Sequence, residues 1–454
     1  MKPRNILLVT IDTLRADMLG CYGYRRPITP VMDELAHTGI RFEQAVTGGS
    51  WTQAAFPVLL TSTYASSYGG CLGPLSPARP SPVEALAACG YRTFGISSSP
   101  LLSKKFHYDR GFASFLDSGP DERDPWLRGI KGGERLLRQP LTHRILSLFK
   151  ARLRPARLYL SAEQINREID RRLQPDHEPF FGWVHYMDVH WPYHLEEDLV
   201  RPDEIARAWT DIAHLHRVNW KGETISPEQK AHYLDLYEGA IRYTDAQLGR
   251  LLDLLDKNGL REDTLIVITS DHGEEFLERG QWGHFEVNLH DEILRVPLII
   301  HDPQSPEGRV VRRQVRTLDI MPTILDLAGC RAPDGLEGCS LAPLWREGES
   351  DYPSDPAIGE MWRNDRHIIA LRTEQYKFIW DSREPDRAFL FDLVEDPGER
   401  YDVFDQFPDV AAAFMEQVLA HLDRSARTAP AEPLDEPEYD DEMTRRLRDL
   451  GYLE

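Results

Sequence analysis

Asn5-Ile6-Leu7-Leu8-Val9-Thr10-Ile11-Asp12-Thr13 opens the chain, and Leu265-Ile266-Val267-Ile268-Thr269-Ser270-Asp271-His272-Gly273 follows the same plan far downstream. Each is a continuous apolar run that ends in a carboxylate. A strand apolar on both sides is covered on both faces, as in a parallel sheet lying between helices. In open parallel sheets, sites form at the carboxyl ends of the strands. Two such ends bearing Asp12, Asp271 and His272 gather acceptor groups around one point. Oxygen and imidazole donors together suit a divalent cation. The plain alternatives are a helix N-cap for Asp12 and a polar turn for Asp271-His272-Gly273.

Periodicity fills in the chain between and around these runs. A helix is predicted over Pro30–Thr38, where Val31, Met32, Leu35 and Ala36 recur at helical spacing, and another ends at Cys89-Gly90. Strands are predicted over Arg92–Ile96, 179–185, 264–269 and 296–301. A long amphipathic helix over 233–257 closes at Asn258-Gly259. The fold class is therefore α/β: a large, mostly parallel central sheet sandwiched by helices. Past residue 350 the texture changes to short, close-spaced strands over 368–373, 376–380 and 388–393, with a helix near 408–424. That pattern predicts a smaller C-terminal antiparallel sheet. The expected division is a catalytic unit over 1–350, a small α+β unit over 351–430, and an acidic tail with a terminal helix over 431–454.

The chain has 454 residues, with 53 Lys plus Arg against 74 Asp plus Glu, a net charge of −21. This balance argues against general nucleic-acid binding, which needs a basic footprint. Hydrophobic residues make up 41%, a globular composition. The apolar run after Met1-Lys2-Pro3-Arg4 breaks at Asp12, too early for a signal peptide, so a cytoplasmic location is expected. The cysteines are five, an odd number, with no C-x-x-C spacing, and indicate neither a disulfide framework nor a thiolate metal site. One stretch opposes the overall charge. Residues 128–157 carry nine basic side chains against Glu134, with Leu141, Ile145, Leu148 and Phe149 at helical spacing. It reads as a helical excursion over 118–175 with solvated arginines, or as a peripheral contact with an anionic membrane surface.

A third chemical signal is Ser50-Trp51-Thr52 ahead of Gln53-Ala54-Ala55-Phe56-Pro57-Val58-Leu59-Leu60-Thr61. A hydroxyl in front of an apolar helical run is by default an N-cap. A helix N-terminus also stabilises an alkoxide and the anionic centre it attacks.

These residues carry a family resemblance. Ile11-Asp12-Thr13-Leu14-Arg15-Ala16-Asp17-Met18-Leu19-Gly20-Cys21-Tyr22-Gly23 resembles the opening of the sulfatase family of the alkaline phosphatase superfamily. Ordered matches follow in Leu59-Leu60-Thr61, Gly90-Tyr91-Arg92-Thr93, His185-Tyr186-Met187-Asp188-Val189-His190-Trp191-Pro192-Tyr193, Ser270-Asp271-His272-Gly273-Glu274, Gly283-His284 and Leu447-Arg448-Asp449-Leu450-Gly451-Tyr452-Leu453. The resemblance spans nearly the whole chain. It implies an alkaline-phosphatase-like α/β core and hydrolysis of sulfuric or phosphoric-type esters at a metal. By this resemblance Asp12, Thr52, Asp271 and His272 match metal ligands, and Thr52 takes the nucleophile's place, in a register fixed by Leu60-Thr61. His190 and His284 match groups that bind the anion or assist the leaving oxygen, and Arg15 is a further candidate for binding substrate. One divalent ion is expected among Mn, Zn, Ca and Mg, with the His272 donor favouring Mn or Zn. Two-metal relatives add an Asp and two His. Asp188, His190 and His284 supply that inventory, at a spacing tighter than those relatives use. His185 reads as a satisfied core histidine and Asp245 as structural.

The sequence departs from the family at one segment. Sulfatases proper convert a Cys or Ser within C/S-x-P-x-R to formylglycine. Here the segment is Thr52-Gln53-Ala54-Ala55-Phe56, and the secondary hydroxyl of threonine cannot become an aldehyde, so formylglycine is not expected. A threonine at this place resembles the phosphoglycerol transferases and phosphodiesterases of the superfamily. The expected activity therefore leans to phosphoester or phosphodiester cleavage. The alternatives are sulfuric ester hydrolysis, a transferase working at a membrane surface, and a catalytically silent anion-binding homologue.

Overall fold

The computed structural model describes residues 5–117, 159–173, 178–193, 202–284, 288–304, 308–346, 352–353, 355–363, 366–430, 439 and 441–450. The basic stretch over 128–157 lies outside them.

Strands β1 (Asn5–Ile11), β2 (Ile40–Val46), β3 (Arg92–Ile96), β4 (Ser114–Leu116), β5 (Phe180–Tyr186) and β6 (Thr264–Ser270) belong to the main sheet. A two-stranded ribbon of β7 (Glu275–Phe276) and β8 (Trp282–Gly283) follows, and β9 (Arg295–His301) and β10 (Arg309–Arg316) return to the main sheet. The strand order is β10-β2-β9-β6-β1-β5-β3-β4. β1 pairs in parallel with both β5 and β6, whereas β9 runs antiparallel to β2 and β6. The sheet is thus mixed but mostly parallel.

β1 illustrates why the sheet is double-faced. Leu7, Val9 and Ile11 enter one core, while Ile6 and Leu8 enter the other. The first core is roofed by α1 (Pro30–Thr38), and the second by α2 (Thr52–Thr61) and α3 (Pro82–Ala88). α4 (Ala162–Asp170), α5 (Pro202–Lys221) and α6 (Pro227–Lys257) add to the first face. The short α7 (Asp291–Leu294) leads into β9, and α8 (Ile320–Ala328) packs on the second face. α4 and α6 each start with a capping box, Ser161 with Gln164 and Ser226 with Gln229.

The second sheet is antiparallel, β11 (Ala357–Arg363), β12 (Arg366–Arg372), β13 (Tyr376–Asp381) and β14 (Ala388–Asp392) in chain order. One face packs Ile369, Leu371, Phe378 and Leu390 against Phe414 and Val418 of α9 (Pro408–Thr428). The other meets Val46, Ile293 and Leu294 of the main body. α10 (Asp441–Asp449) returns to the second core through Leu447.

The periodic reading missed β2, β4, β10 and β11. β2 and β10 carry charges along their length (Arg41 and Glu43; Arg309, Arg312 and Arg313), which breaks the apolar run that marks a buried strand. The cysteine expectation is corrected. Cys89, at the end of α3, is bonded to Cys330, at the end of α8, with a Cα separation of 5.9 Å. A bridge between residues 241 apart in sequence leaves no local spacing signal. Among the described residues no helix is long and apolar enough to cross a membrane.

Candidate metal and anion site

Register puts the two carboxylates side by side. Ile11 is level with Ser270 on one side and with Tyr186 on the other. The next residues, Asp12 and Asp271, therefore emerge together at the carboxyl edge. Asp12 does not cap a helix; its amide donates to Tyr186 O at 2.9 Å. The turn beyond it is strained but fully held. Thr13 has φ 56°, in the left-handed region that a β-branched residue avoids. Its amide donates to Asp271 Oδ1 at 3.2 Å, its hydroxyl to Val189 O at 3.0 Å, and its carbonyl accepts from Tyr237 at 2.7 Å. Gly273 is required on the other side, since a Cβ there would stand 2.1 Å from Glu292 O.

Asp12, Asp271 and His272 are fully buried. Asp271 Oδ1 accepts from the amides of Thr13 and His272, and Asp12 Oδ2 faces His185 Nε2 at 3.1 Å. The remaining atoms, Asp12 Oδ1, Asp271 Oδ2 and His272 Nε2, are buried and make no hydrogen bond. His272 donates from Nδ1 to Gly273 O at 2.9 Å, which leaves a lone pair on Nε2. That lone pair lies 3.5 Å from Asp271 Oδ2. Buried acceptors that face one another without a donor fit a cation between them. One donor atom each from Asp12, His185 and Asp271 also lie within 4.8 Å of one another.

Two more histidines adjoin. The His272 and His284 rings are 4.5 Å apart between centroids, and His284 and His190 are 5.2 Å apart. His284 donates from Nδ1 to Glu274 Oε1 at 2.8 Å, and His190 from Nδ1 to Trp191 O. All three rings thus use Nδ1 as donor. Glu274, which also accepts from the Tyr193 hydroxyl at 2.8 Å, belongs to the site although sequence reading gave it no role. Its only signal was its place beside Asp271-His272-Gly273.

Burial dominates the electrostatics. It pushes Asp271 up to about 7, with the Asp12 charge adding to the effect. Burial also pushes Glu274 up to about 7. Asp12 goes the other way: burial opposes ionisation, but His190 and the His185 hydrogen bond outweigh it and hold the carboxyl well below its usual range. Burial lowers His190 and His272, and takes His284 down to about 4.

Thr52 is fully buried in the first turn of α2; Trp51 is the N-cap, with no side-chain cap. The segment carrying Thr52 is anchored at both ends on site residues. Thr47 donates its hydroxyl to Asp271 O, and the Phe56 ring meets the His185 ring edge-on at 4.9 Å. Gly49 lets this loop close on the helix, since a Cβ there would stand 2.5 Å from the Ala54 carbonyl carbon. Arg15 is buried, but its guanidinium is already bound to Asp17 at 2.7 Å, Glu278 at 2.6 Å and Glu274 O at 2.9 Å. On its outer side Arg15 lines a cavity of about 770 Å³ shared with Arg279, Arg295, Arg372 and Glu399. Asp188 Oδ2 accepts from the Ala162 amide at 2.8 Å, at the start of α4. Asp245 accepts from the Val31 and Met32 amides at the start of α1.

Known proteins bear on this arrangement. The chain is 27% identical over 469 residues to the uncharacterized sulfatase YidJ of Escherichia coli (strain K12), covering 93% of this chain and 88% of that protein. It is 28% identical over 447 residues to an arylsulfatase of Clostridium perfringens (strain 13 / Type A), covering 88% and 89%. The crystal structure of the phosphonate monoester hydrolase of Agrobacterium radiobacter superposes with a TM-score of 0.70 at 22% identity, covering 93% of this chain and 96% of that one. The C-terminal pattern of N-sulphoglucosamine sulphohydrolase matches residues 280–425. The Sulfatase pattern matches residues 4–330, and the chain is therefore a member of the sulfatase family, a family of ester hydrolases.

Proposed function

We propose that this chain is a metal-dependent hydrolase of phosphoric-type esters, diesters or phosphonate esters among them, with Thr52 as nucleophile. Three buried acceptors that make no hydrogen bond, Asp12 Oδ1, Asp271 Oδ2 and His272 Nε2, the last two 3.5 Å apart, carry the reading. These three residues would hold the ion, with the Thr52 hydroxyl as a fourth donor. A divalent cation there supplies positive charge that eases ionisation of a hydroxyl and offsets charge on the transferred group.

The chain's own groups account for the rest. Thr52 gives its hydroxyl proton to one of the neighbouring histidines as Oγ1 attacks the phosphorus in line, and the bond from phosphorus to the ester oxygen breaks. The N-terminus of α2 favours the negative charge that gathers there. His190 and His284 face the transferred group with Nε2, since Nδ1 of each is held by an acceptor. Burial lowers both rings from the ordinary histidine value. An anionic substrate beside them favours the protonated form. One of them then passes its proton to the leaving alkoxide, which departs as the alcohol. Water adds to the threonyl ester and releases the anion and the Thr52 hydroxyl. Exclusion of bulk water from this fully buried set strengthens each of these interactions.

The second reading is sulfuric ester hydrolysis by the same threonine, supported by the sulfatase names of the relatives. A panel of aryl sulfate, phosphate monoester, phosphodiester and phosphonate ester substrates, assayed with Mn²⁺ and with Zn²⁺, separates the two. Thr52→Ala is expected to lower kcat by about 10³-fold or more while Mn²⁺ still binds. Thr52→Ser is expected to retain turnover. Wild-type rates in Thr52→Ala would remove Thr52 from the chemistry.

A further inference from the structure

We propose that His185, backed by Thr10 and Trp183, is a positioning residue. It is the last link of a one-way hydrogen-bond chain that presents a single oxygen of Asp12 to the cation. The proposal rests on the reading of Asp12 as a ligand. All four residues are fully buried. Trp183 Nε1 lies 3.1 Å from Thr10 Oγ1, Thr10 Oγ1 lies 2.9 Å from His185 Nδ1, and His185 Nε2 lies 3.1 Å from Asp12 Oδ2.

The two ends fix the direction of the chain. An indole N–H can only donate, so Thr10 Oγ1 accepts from Trp183. An ionised carboxylate can only accept, so His185 Nε2 carries the proton that faces Asp12. The middle link has two solutions. Either Thr10 donates to a bare Nδ1, or Nδ1 is also protonated and the Thr10 proton goes to Val184 O at 3.2 Å. The first needs only the neutral imidazole, one nitrogen donating and the other accepting. The proton order is therefore Trp183 to Thr10 to His185 to Asp12.

Three consequences follow from that order. Asp12 Oδ2 is committed to His185, so Oδ1 is the oxygen left to ligate. His185 has no lone pair on Nε2 and is not a ligand, although it lies within reach of both carboxylates. The ring is held in place by the Phe56 edge at 4.9 Å and by Trp183, whose ring is 6.4 Å away. Phe56 belongs to α2, so one imidazole couples the orientation of Asp12 to the helix that bears Thr52.

The test uses Mn²⁺ affinity of the full chain, measured by chelator competition, together with turnover. His185→Leu is expected to weaken Mn²⁺ binding by about 10- to 100-fold, the usual effect of losing a group that orients a ligand. His185→Gln, which can still donate to Asp12, is expected to recover most of that loss. Trp183→Phe removes the first donor and is expected to lower affinity several-fold. Mn²⁺ binding by His185→Leu within twofold of wild type would overturn the proposal. So would failure of His185→Gln to rescue a folded protein, because that marks a direct ligand. Nitrogen chemical shifts of histidine-labelled, Zn²⁺-loaded wild type need no variant. A proton on His185 Nε2 with a bare Nδ1 supports the chain; a proton on Nδ1, or a metal-shifted Nε2, overturns it. Wild type that binds no divalent ion at all would instead bring down the reading of the site itself.

Discussion

Burial lifts the Asp271 carboxyl to about 7, and the neighbouring Asp12 charge works in the same direction. A carboxyl must lose its proton before it can ligate. Below about pH 7 the ion therefore displaces a proton from Asp271, and above it does not. Affinity for Mn²⁺ is expected to fall by about tenfold for each pH unit below 7, then level off on the alkaline side. Chelator competition at pH 6 and pH 8 checks this; equal affinities would show that Asp271 is already ionised throughout. Asp271→Asn removes both the charge and the titration. It is expected to bind Mn²⁺ much more weakly, with the pH dependence flattened.

Among the elements, α2 matters most to the proposed chemistry, and its position is set outside itself. Its start is fixed by the Thr47 hydroxyl on Asp271 O, by Phe56 on His185, and by the bare backbone of Gly49 under Ala54. Gly49→Ala would drive a methyl into the Ala54 carbonyl carbon and lift the helix start. A displacement of about 1 Å at a reacting group can lower turnover by about 10²-fold. That loss in kcat is expected for Gly49→Ala, measured against a wild-type control of equal Tm; an unchanged kcat would mean that the helix start is not tightly registered. A hydroxyl before this apolar run is by default an N-cap, but Trp51 holds that position and Thr52 lies inside the helix. Most helices and buried strands were legible because their apolar residues recur at local spacings. β2 and β10 were not, since pairing within the sheet overrides their charged sequences.

Across the whole molecule, the small sheet is fastened to the main body by a buried ionic cluster. Lys377, fully buried on β13, reaches Asp291 at 2.6 Å and Glu399 at 2.8 Å, and Arg372 of β12 reaches Asp291 at 2.8 Å. Burial alone would raise the Asp291 carboxyl, but Lys377 and Arg372 outweigh it and hold it far below the usual range. A carboxyl depressed on folding gives stability that is present above its unfolded value near 4 and is lost on acidification below it. Breaking a buried ion pair from one side leaves an uncompensated charge. Asp291→Asn is expected to lower unfolding free energy by about 3 kcal/mol at pH 7, with the difference from wild type shrinking as pH falls below 4. Urea denaturation at the two pH values measures it; equal stabilities at pH 7 would mean that the cluster does not fasten the two parts.

The sequence by itself determined the alternation of strands and helices, the apolar double-faced strands, and the residue types at their carboxyl ends. These depend on spacings of two, three and four residues, which a chain carries before it folds. Tertiary structure alone decided that β1 and β6 lie side by side in a register that brings Asp12 beside Asp271. It also decided which oxygen of each carboxylate stays unpaired, that Arg15 is taken up by Asp17 and Glu278, and that Cys89 meets Cys330. His185 looked like a core histidine and is one by burial, yet its partner is Asp12. Hydrogen-bond saturation and desolvation depend on neighbours distant in the chain, and no local pattern encodes them.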